Sequence, residues 1–400
     1  MTEQNQSALQ PWNMLGPQPR LGIVSAPDPD AQWDLSGGTA WVFYGKGHRG
    51  LKRPVILSDG FATGPSNLNE SWDHLDRAGF AFATTLRERG HDLIFLGYDE
   101  RSASILSNAE VAEECIKRAV RERSGDVPLT VGGFSMGGLV TRYALAKMES
   151  RGERHETGLY VSFDSPHRGA WVPIALQGLA HLLHPAFPGL SDQINSPASR
   201  QLLFQHIETV DGEHRQDPLR KQFLDALREV GWWPSAPRLI GVASGSGNGV
   251  GNGAKAGIDA IKVTSGPLHE TTLRTQTLGP RQEVARLKVQ DTDVRVVTDN
   301  LAELDGAPGG MLESFGIAGR QLRLIGGVDI EPSSESICFV PSVSAVDIRD
   351  LDRQEDVYAD VNAINPEESG LDEFKVSAGN DAHAYVSEEL AHWILERLPR

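Results

Sequence analysis

The 400-residue chain has very few cysteines and no long apolar run. Its two cysteines, Cys115 and Cys338, are far apart in the sequence and imply no disulfide framework. Cys115 falls within a run of helical spacing, where a small buried hydrophobic residue is expected. No apolar run approaches the length that crosses a bilayer, and the polar, proline-rich first thirty residues have no secretory signal pattern. These absences predict a soluble cytoplasmic protein with no transmembrane segment.

Positive charge is also in deficit. The chain carries 38 Lys and Arg residues against 54 Asp and Glu residues, for a formal net charge of -16. Binding to nucleic acid or to an anionic membrane surface needs a basic patch, so neither partner is expected. The hydrophobic share of 39% and the 42 glycines fit a globular chain that can bury a large core, either as one elaborated domain or as two smaller ones.

The most informative stretch is Val131–Gly138, which reads VGGFSMGG. A short apolar run suited to a buried strand precedes it, and a run with helical spacing follows it. Ser135 therefore stands where a strand turns sharply into a helix. The flanking glycines leave room for a strained turn, and the backbone N–H of Met136 points to where an oxyanion would form. This pattern predicts a nucleophile elbow. The alternative is a glycine-rich turn that only packs helix against sheet.

Strand and helix patterns alternate along the first 170 residues. Strands are predicted at 39–44, 54–57, 92–96, 127–131 and 159–163, and helices at 73–89, 108–123 and 139–146. This alternation predicts a mostly parallel sheet with helices on both faces.

This alternation of strand and helix patterns ends near residue 170, which suggests that other segments are inserted between the later strands of the sheet. We expect an N-terminal arm over 1–36, the first part of the core over 37–170, a helical cap over 171–237, a core strand over 238–244, a β-rich insertion over 245–335 and the last part of the core over 336–400. The run from Cys338 to Ala345 is expected to return the chain to the core. The chain ends in a predicted helix over 384–398, directly after His383.

Five sequence blocks occur together in an informative order. They are Gly60-Phe61, Ser135–Gly138, Asp164–Ala170, Phe339–Ala345 and Asn380–His383. On these blocks the chain resembles the α/β-hydrolase superfamily of serine esterases and lipases, most closely a bacterial branch. The blocks span most of the chain from about residue 54 to the end. The resemblance implies an α/β-hydrolase fold with a mostly parallel sheet, a helical cap insertion and an additional β-rich insertion.

The resemblance also implies roles for individual residues. Ser135 would be the nucleophile and His383 the general base, because a serine hydroxyl needs an imidazole to accept its proton. The oxyanion hole would use the backbone N–H groups of Met136 and Phe61. Gly60 is the alternative to Phe61 in that role.

The acid that orients the histidine has more than one candidate. Asp164 ends the strand next to the elbow strand, at the sheet edge where catalytic loops gather. Asp347 follows the Phe-Val-Pro block at an ordinary distance before the histidine, and Asp329 is a further alternative. Asp164 is favoured over both. It could instead cap backbone N–H groups of the turn that follows it.

Other motifs carry weaker signals. Gly249–Ala254 fits a loose dinucleotide pattern, but glycine and asparagine runs more often form turns. His181 and His184 lie three apart on a predicted helix, without an acidic or thiolate partner for a metal. His167 and the pair Trp232-Trp233 are expected to pack rather than react. We therefore expect neither a metal nor a cofactor.

Three functions follow from these residues. The leading hypothesis is a carboxylic-ester hydrolase that works through an acyl-enzyme on a small-molecule ester or acyl substrate. The second is an acyltransferase or thioesterase of a biosynthetic pathway, which uses the same residues with another acceptor. The third is a non-catalytic binding module on a hydrolase scaffold. The apolar cap helices fit either a lid over an acyl pocket or simple core packing.

Overall fold

The structure is a computed structural model that describes residues 12–18, 22–77 and 79–400. Most of the predicted arm thus falls within it, while residues 1–11 and 19–21 lie outside the described residues.

The described chain alternates strands and helices up to residue 163 and then adds two further groups of elements. The strands are β1 (Ala31–Leu35), β2 (Gly38–Phe43), β3 (Pro54–Ser58), β4 (Asp92–Tyr98), β5 (Leu129–Phe134), β6 (Thr157–Phe163), β7 (Arg238–Ser246), β8 (Asp259–Val263), β9 (Thr272–Arg274), β10 (Gln282–Val289), β11 (Thr292–Thr298), β12 (Gly309–Leu312), β13 (Val328–Ile330), β14 (Ile337–Pro341) and β15 (Glu373–Ser377). The helices are α1 (Leu68–Arg77), α2 (Phe82–Glu88), α3 (Ile105–Glu122), α4 (Met136–Ser150), α5 (Ile174–Leu183), α6 (Pro188–Asn195), α7 (Pro197–Leu202), α8 (Pro218–Glu229), α9 (Ser314–Leu322), α10 (Ser342–Ala345), α11 (Gln354–Val357) and α12 (Glu388–Leu395).

The main sheet has the order β1-β2-β4-β3-β5-β6-β7-β15 within the described residues. Strand β2 pairs antiparallel with β1 and β4, and the pairs from β4 to β15 are parallel. Successive strand residues face opposite sides of a sheet. Accordingly Ile56 packs into one hydrophobic core, whereas Val55 and Leu57 pack into the other. The expected mostly parallel sheet covered on both faces is confirmed.

Two groups of elements lie outside the main sheet. Helices α5 to α8 occupy the chain between β6 and β7, in the range expected for a cap. A second sheet has the order β11-β10-β9-β8-β13, and β12 pairs with β14 as an antiparallel ribbon. We propose that the cap and the β-rich insertion follow the boundaries predicted above, whereas the arm ends before β1, which belongs to the main sheet.

One expectation about the edges of the main sheet is wrong, and the strand at its other edge was not predicted. The predicted irregular arm contains strand β1, which pairs with β2 and buries Trp33 at the sheet. The apolar strand β14 does not join the main sheet, and the half-buried strand β15 takes the edge beside β7 instead. Strands β1 and β2 form a local hairpin that turns at Ser36-Gly37. The edge beside β7 depends on pairing with the distant β15, which local apolar patterning does not encode.

The single helix predicted over 73–89 is also wrong, because the chain forms α1 and α2 instead. Between them a Cβ atom at Gly79 would lie 2.4 Å from the hydroxyl of Tyr385, so a larger residue there would displace the tyrosine side chain. The N–H of Thr84, near the start of α2, donates to the Asp76 carboxylate at 2.9 Å. The last helix is likewise shorter than predicted and begins at Glu388, with Ser387 as its cap.

Cys115 and Cys338 are buried free thiols, and Cys115 lies on α3 as expected. No helix within the described ranges has both the length and the hydropathy of a membrane-spanning segment.

Candidate active site

The chain turns from β5 into α4 at Ser135. This residue has φ 51° and ψ -122°, a conformation in the left-handed region that is strained for a residue with a Cβ atom. The neighbouring strand helps to hold the turn, because the N–H of Ser135 donates to the carbonyl of Phe163 at 2.9 Å. Ser135 is 7% exposed and lines a cleft that the loop after β3 also lines.

The glycines on either side of the serine allow a close backbone approach. A Cβ atom at Gly137 would lie 2.3 Å from the carbonyl oxygen of Ser58, at the end of β3. A Cβ atom at Gly133 would lie 2.5 Å from the carbonyl carbon of Gly137. Larger residues would push α4 away from the sheet, so the local sequence and this turn are matched to each other.

His383 and Asp164 meet at the carboxyl ends of the parallel strands. Nδ1 of His383 lies 2.7 Å from Oδ2 of Asp164, and both side chains are fully buried. Because an ionised carboxylate only accepts hydrogen bonds, Nδ1 is the protonated ring nitrogen. Nε2 of His383 is then free to accept a proton, and it is buried with no hydrogen-bond partner among the described residues.

Backbone groups fix the carboxylate of Asp164. Oδ2 also accepts from the N–H of Ala384 at 3.1 Å, and Oδ1 accepts from the N–H of Ser244 at 3.0 Å. Asp164 follows β6, Ser244 lies on β7, and Ala384 directly follows the histidine. The carboxylate thus ties the histidine loop to two neighbouring strands.

The β12–β14 ribbon holds the histidine from the other side, which the sequence analysis missed. The N–H of His383 donates to the carbonyl of Met311 at 2.8 Å. The ring of Phe339 meets the imidazole edge to face, with 4.8 Å between centroids. A Cβ atom at Gly310 would lie 2.1 Å from Oδ2 of Asp164. The only sequence signal for this contact is the Gly309-Gly310 pair inside a strand.

The other two acid candidates lie elsewhere in the fold. Asp347 is buried against Arg168, whose Nε lies 2.5 Å from Oδ1, and Oδ2 accepts from the indole N–H of Trp233 at 3.0 Å. Asp329 is exposed on β13, in the second sheet, paired in register with Lys262. The structure therefore brings Asp164, and neither alternative, to the histidine.

The loop after β3 lies against the serine. A Cβ atom at Gly60 would be 3.5 Å from Cβ of Ser135, and Phe61 is buried beside it. The carboxylate of Asp59 accepts from the N–H of Gly60 at 2.8 Å and from the hydroxyl of Ser66 at 2.7 Å. Burial raises the pKa of the Asp59 carboxyl, and nearby Arg101 opposes this rise. The side chain of Asp59 thus holds the backbone of the loop that carries Phe61.

Ser135 and His383 share one cleft of about 750 Å³. Its walls come from the loop after β3, the first turn of α5, the β12 ribbon and the segment before β1. Much of this lining is apolar, with Phe134, Val172, Leu176, Met311 and Leu312 among the lining residues. A concave, largely apolar pocket with a few convergent polar groups is the usual form of a small-molecule site.

The histidines that the sequence marked only weakly, His181 and His167, are held by contacts with neighbouring residues. Both ring nitrogens of His181 are used, by Ser191 at 2.8 Å and by the carbonyl of Ile207 at 2.9 Å. His167 is buried against Arg142, and burial holds its pKa well below the usual value.

Trp233 stacks under the guanidinium of Arg142 at 3.5 Å, and Trp232 packs against the same group. The run Gly249–Ala254 forms a loop, and the next element is β8 rather than a helix. Across the described ranges, no group of three His, Cys, Asp or Glu side chains could hold a metal ion.

No family model matches the chain, and no curated protein matches it. Matching solved structures include the mature form of the Bacillus licheniformis lipase BlEst2, at 13% identity and TM-score 0.34, over 56% of this chain and 74% of that one. Est1E from Butyrivibrio proteoclasticus matches at 14% identity and TM-score 0.31, over 53% and 76% of the two chains. A Pyrobaculum calidifontis esterase matches at 12% identity and TM-score 0.31, over 54% and 66%.

Proposed function

We propose that this chain, which has the α/β-hydrolase fold, is a serine hydrolase that cleaves carboxylic esters through an acyl-enzyme on Ser135. One observation carries the proposal. The imidazole of His383 donates through Nδ1 to the buried carboxylate of Asp164, which leaves Nε2 without a hydrogen-bond partner among the described residues, and His383 lines the same cleft as Ser135. A base that a carboxylate orients, beside a serine on a strained turn, is the arrangement that activates a hydroxyl.

The proposed reaction has two halves. Oγ of Ser135 attacks the ester carbonyl carbon while Nε2 of His383 accepts the hydroxyl proton. The tetrahedral intermediate collapses, the imidazolium gives its proton to the departing alkoxide, and an acyl-serine remains. Water then attacks the acyl-serine while Nε2 of His383 accepts its proton. The second tetrahedral intermediate collapses, the imidazolium returns the proton to Oγ of Ser135, and the acid is released.

The charges that develop in these steps have partners within the site. The carboxylate of Asp164 stabilises the imidazolium, and its hydrogen bond selects the required tautomer. The N–H groups of Met136 and Phe61 would receive the oxyanion, and the removal of one such donor typically lowers kcat about 10²–10³-fold. The contact of Gly60 with Ser135 supports this role for the loop after β3.

The test needs no knowledge of the substrate. The protein is treated with a fluorophosphonate, and intact mass with peptide mapping locates any adduct. We expect one adduct, on Ser135, and its loss in Ser135→Ala and in His383→Ala. His269→Ala is the matched control, because that histidine is exposed in the turn between β8 and β9, and this variant should label like the parent protein. Ester hydrolysis that persists undiminished in folded Ser135→Ala and His383→Ala would refute the proposal.

A further inference from the structure

The segment Trp12–Gln18, which we name the strap, lies along one side of the cleft. Trp12, Met14 and Leu15 are buried, at 6%, 4% and 1% exposed, and all three line the same cleft as Ser135. The predicted arm therefore contributes apolar surface to the site. Burial of three apolar side chains from so short a segment is favourable because they pack against the rest of the protein and are removed from water.

Hydrogen bonds give the strap a defined shape. The N–H of Asn13 donates to the side-chain carbonyl of Gln18 at 3.1 Å, and the side-chain amide of Gln18 donates to the carbonyl of Asn13 at 2.6 Å. The N–H of Leu15 donates to Oδ1 of Asn13 at 3.1 Å. The strap is thus a closed turn rather than an extended tail.

A buried glutamine on α6 fastens the strap to the cap. Nε2 of Gln193 donates to the carbonyl of Trp12 at 2.9 Å, and its Oε1 accepts from the N–H of Met14 at 3.0 Å. One amide therefore uses its donor and its acceptor on two strap residues. A buried amide that is satisfied in this way holds its partners in one register.

The strap also touches the loop proposed to supply the oxyanion hole. A Cβ atom at Gly16 would lie 3.2 Å from the carbonyl oxygen of Phe61 and 2.7 Å from the side-chain nitrogen of Asn13. Val172 and Leu176 from the cap and Ile317 from α9 contribute further apolar lining to the same cleft. An apolar chain attached to the reacting carbonyl would lie against the lining that these residues and the strap provide.

We infer that the strap is the wall that determines the length of apolar chain accepted at Ser135, with Met14 as the residue that limits it. This inference rests on the proposed function, since it concerns the substrate of the same serine. It assigns the site to esters with an uncharged aliphatic chain. Each methylene that gains or loses contact with the wall should change the reaction rate about fourfold.

The test measures the rate at which fluorophosphonates with ethyl, dodecyl and hexadecyl chains label Ser135, followed by intact mass. The ratio of two rates in one variant cancels any change in the amount of folded protein. The larger side chain of Met14→Trp should narrow the cleft. If it excludes two methylenes of the probe, the ratio of the dodecyl labelling rate to the ethyl labelling rate should fall about 15-fold. Met14→Ala should widen the cleft and raise the ratio of the hexadecyl labelling rate to the dodecyl labelling rate. Leu278→Trp, at a leucine that is 48% exposed, is the control and should leave both ratios unchanged.

The outcomes separate the inference from the proposed function. Opposite shifts in the two Met14 variants support the strap as the wall, because a general loss of stability would not reverse its sign. Normal labelling of Ser135 with both ratios unchanged in the two Met14 variants overturns the inference and leaves the ester hydrolase intact. Absence of labelling of Ser135 in the parent protein by every probe overturns both.

Discussion

Replacement of Asp164 by asparagine distinguishes the proposed acid from its alternatives. The carboxylate accepts three hydrogen bonds, from Nδ1 of His383 and from the N–H groups of Ala384 and Ser244. An amide of the same size has one acceptor oxygen and one NH₂ group. Whichever way it points, its NH₂ group faces one of the two backbone N–H groups. One buried N–H then lacks an acceptor, which costs about 1–3 kcal/mol of stability.

The effect on the reaction should be larger than the effect on stability. With NH₂ toward Nδ1, the imidazole takes the tautomer that carries its proton on Nε2, and it cannot accept the proton of Ser135. With oxygen toward Nδ1, the tautomer survives, but the imidazolium loses its counter-charge. We expect Asp164→Asn to lower kcat by about 10³–10⁴-fold, as substitution of a triad aspartate does. This corresponds to about 4–5.5 kcal/mol of transition-state stabilisation.

Asp347→Asn is the matched control, because Asp347 is another buried aspartate and was the second candidate. Its carboxylate bonds to Arg168 and to Trp233, whereas the imidazole of His383 bonds to Asp164. Arg168 is 27% exposed, so the lost charge pair should cost only about 1–2 kcal/mol of stability. Its kcat on a chromogenic ester should stay within about threefold of the parent value, since it touches no reacting group.

Ester hydrolysis and urea-induced unfolding would be measured on the same preparations of both variants. We expect Asp164→Asn to be inactive and modestly destabilised, and Asp347→Asn to be active and destabilised. The reverse pattern, with activity kept in Asp164→Asn and lost in Asp347→Asn, would show that the histidine takes its acid from Asp347 in the working enzyme.

Two further predictions concern buried carboxylates. Gly310→Ala places a methyl group against Oδ2 of Asp164, so kcat should fall at least about tenfold. Circular dichroism should show that the secondary structure is retained. An unchanged kcat would contradict this close approach. Burial raises the pKa of Asp305 to about 6 although the indole of Trp171 donates to it. The folded state then holds this proton more tightly than the unfolded state, so this group's contribution to stability falls by about 3 kcal/mol as the pH rises from about 4 to 6. Asp305→Asn should remove that part of the pH dependence in urea unfolding, and an identical pH dependence in both proteins would argue against it.

Local sequence was sufficient for the elbow and for the central strands. Ser135 needs a strained turn, and the glycines around it are required by close contacts with the sheet, so a short stretch of sequence carries the whole feature. Strands β3 to β6 are buried parallel strands that read as short apolar runs between helices. The order of the motifs also pointed to His383 and favoured Asp164.

Long-range pairing decided the rest. Asp164 and His383 are 219 residues apart, and only the arrangement of β7, β12 and β15 brings them within 2.7 Å and leaves Asp347 on Arg168. Strand β15 is half-buried and β14 is fully apolar, yet β15 joins the main sheet.

Hydrogen bonds within the strap close its turn, but its position beside the cleft depends on Gln193 on a distant helix, so no local pattern marks it. The sequence by itself determined which residue is the proposed nucleophile, since backbone strain is local. The tertiary structure decided which carboxylate bonds to the imidazole of His383 and which segment lines the cleft beside the cap, since both depend on contacts between segments far apart in the chain.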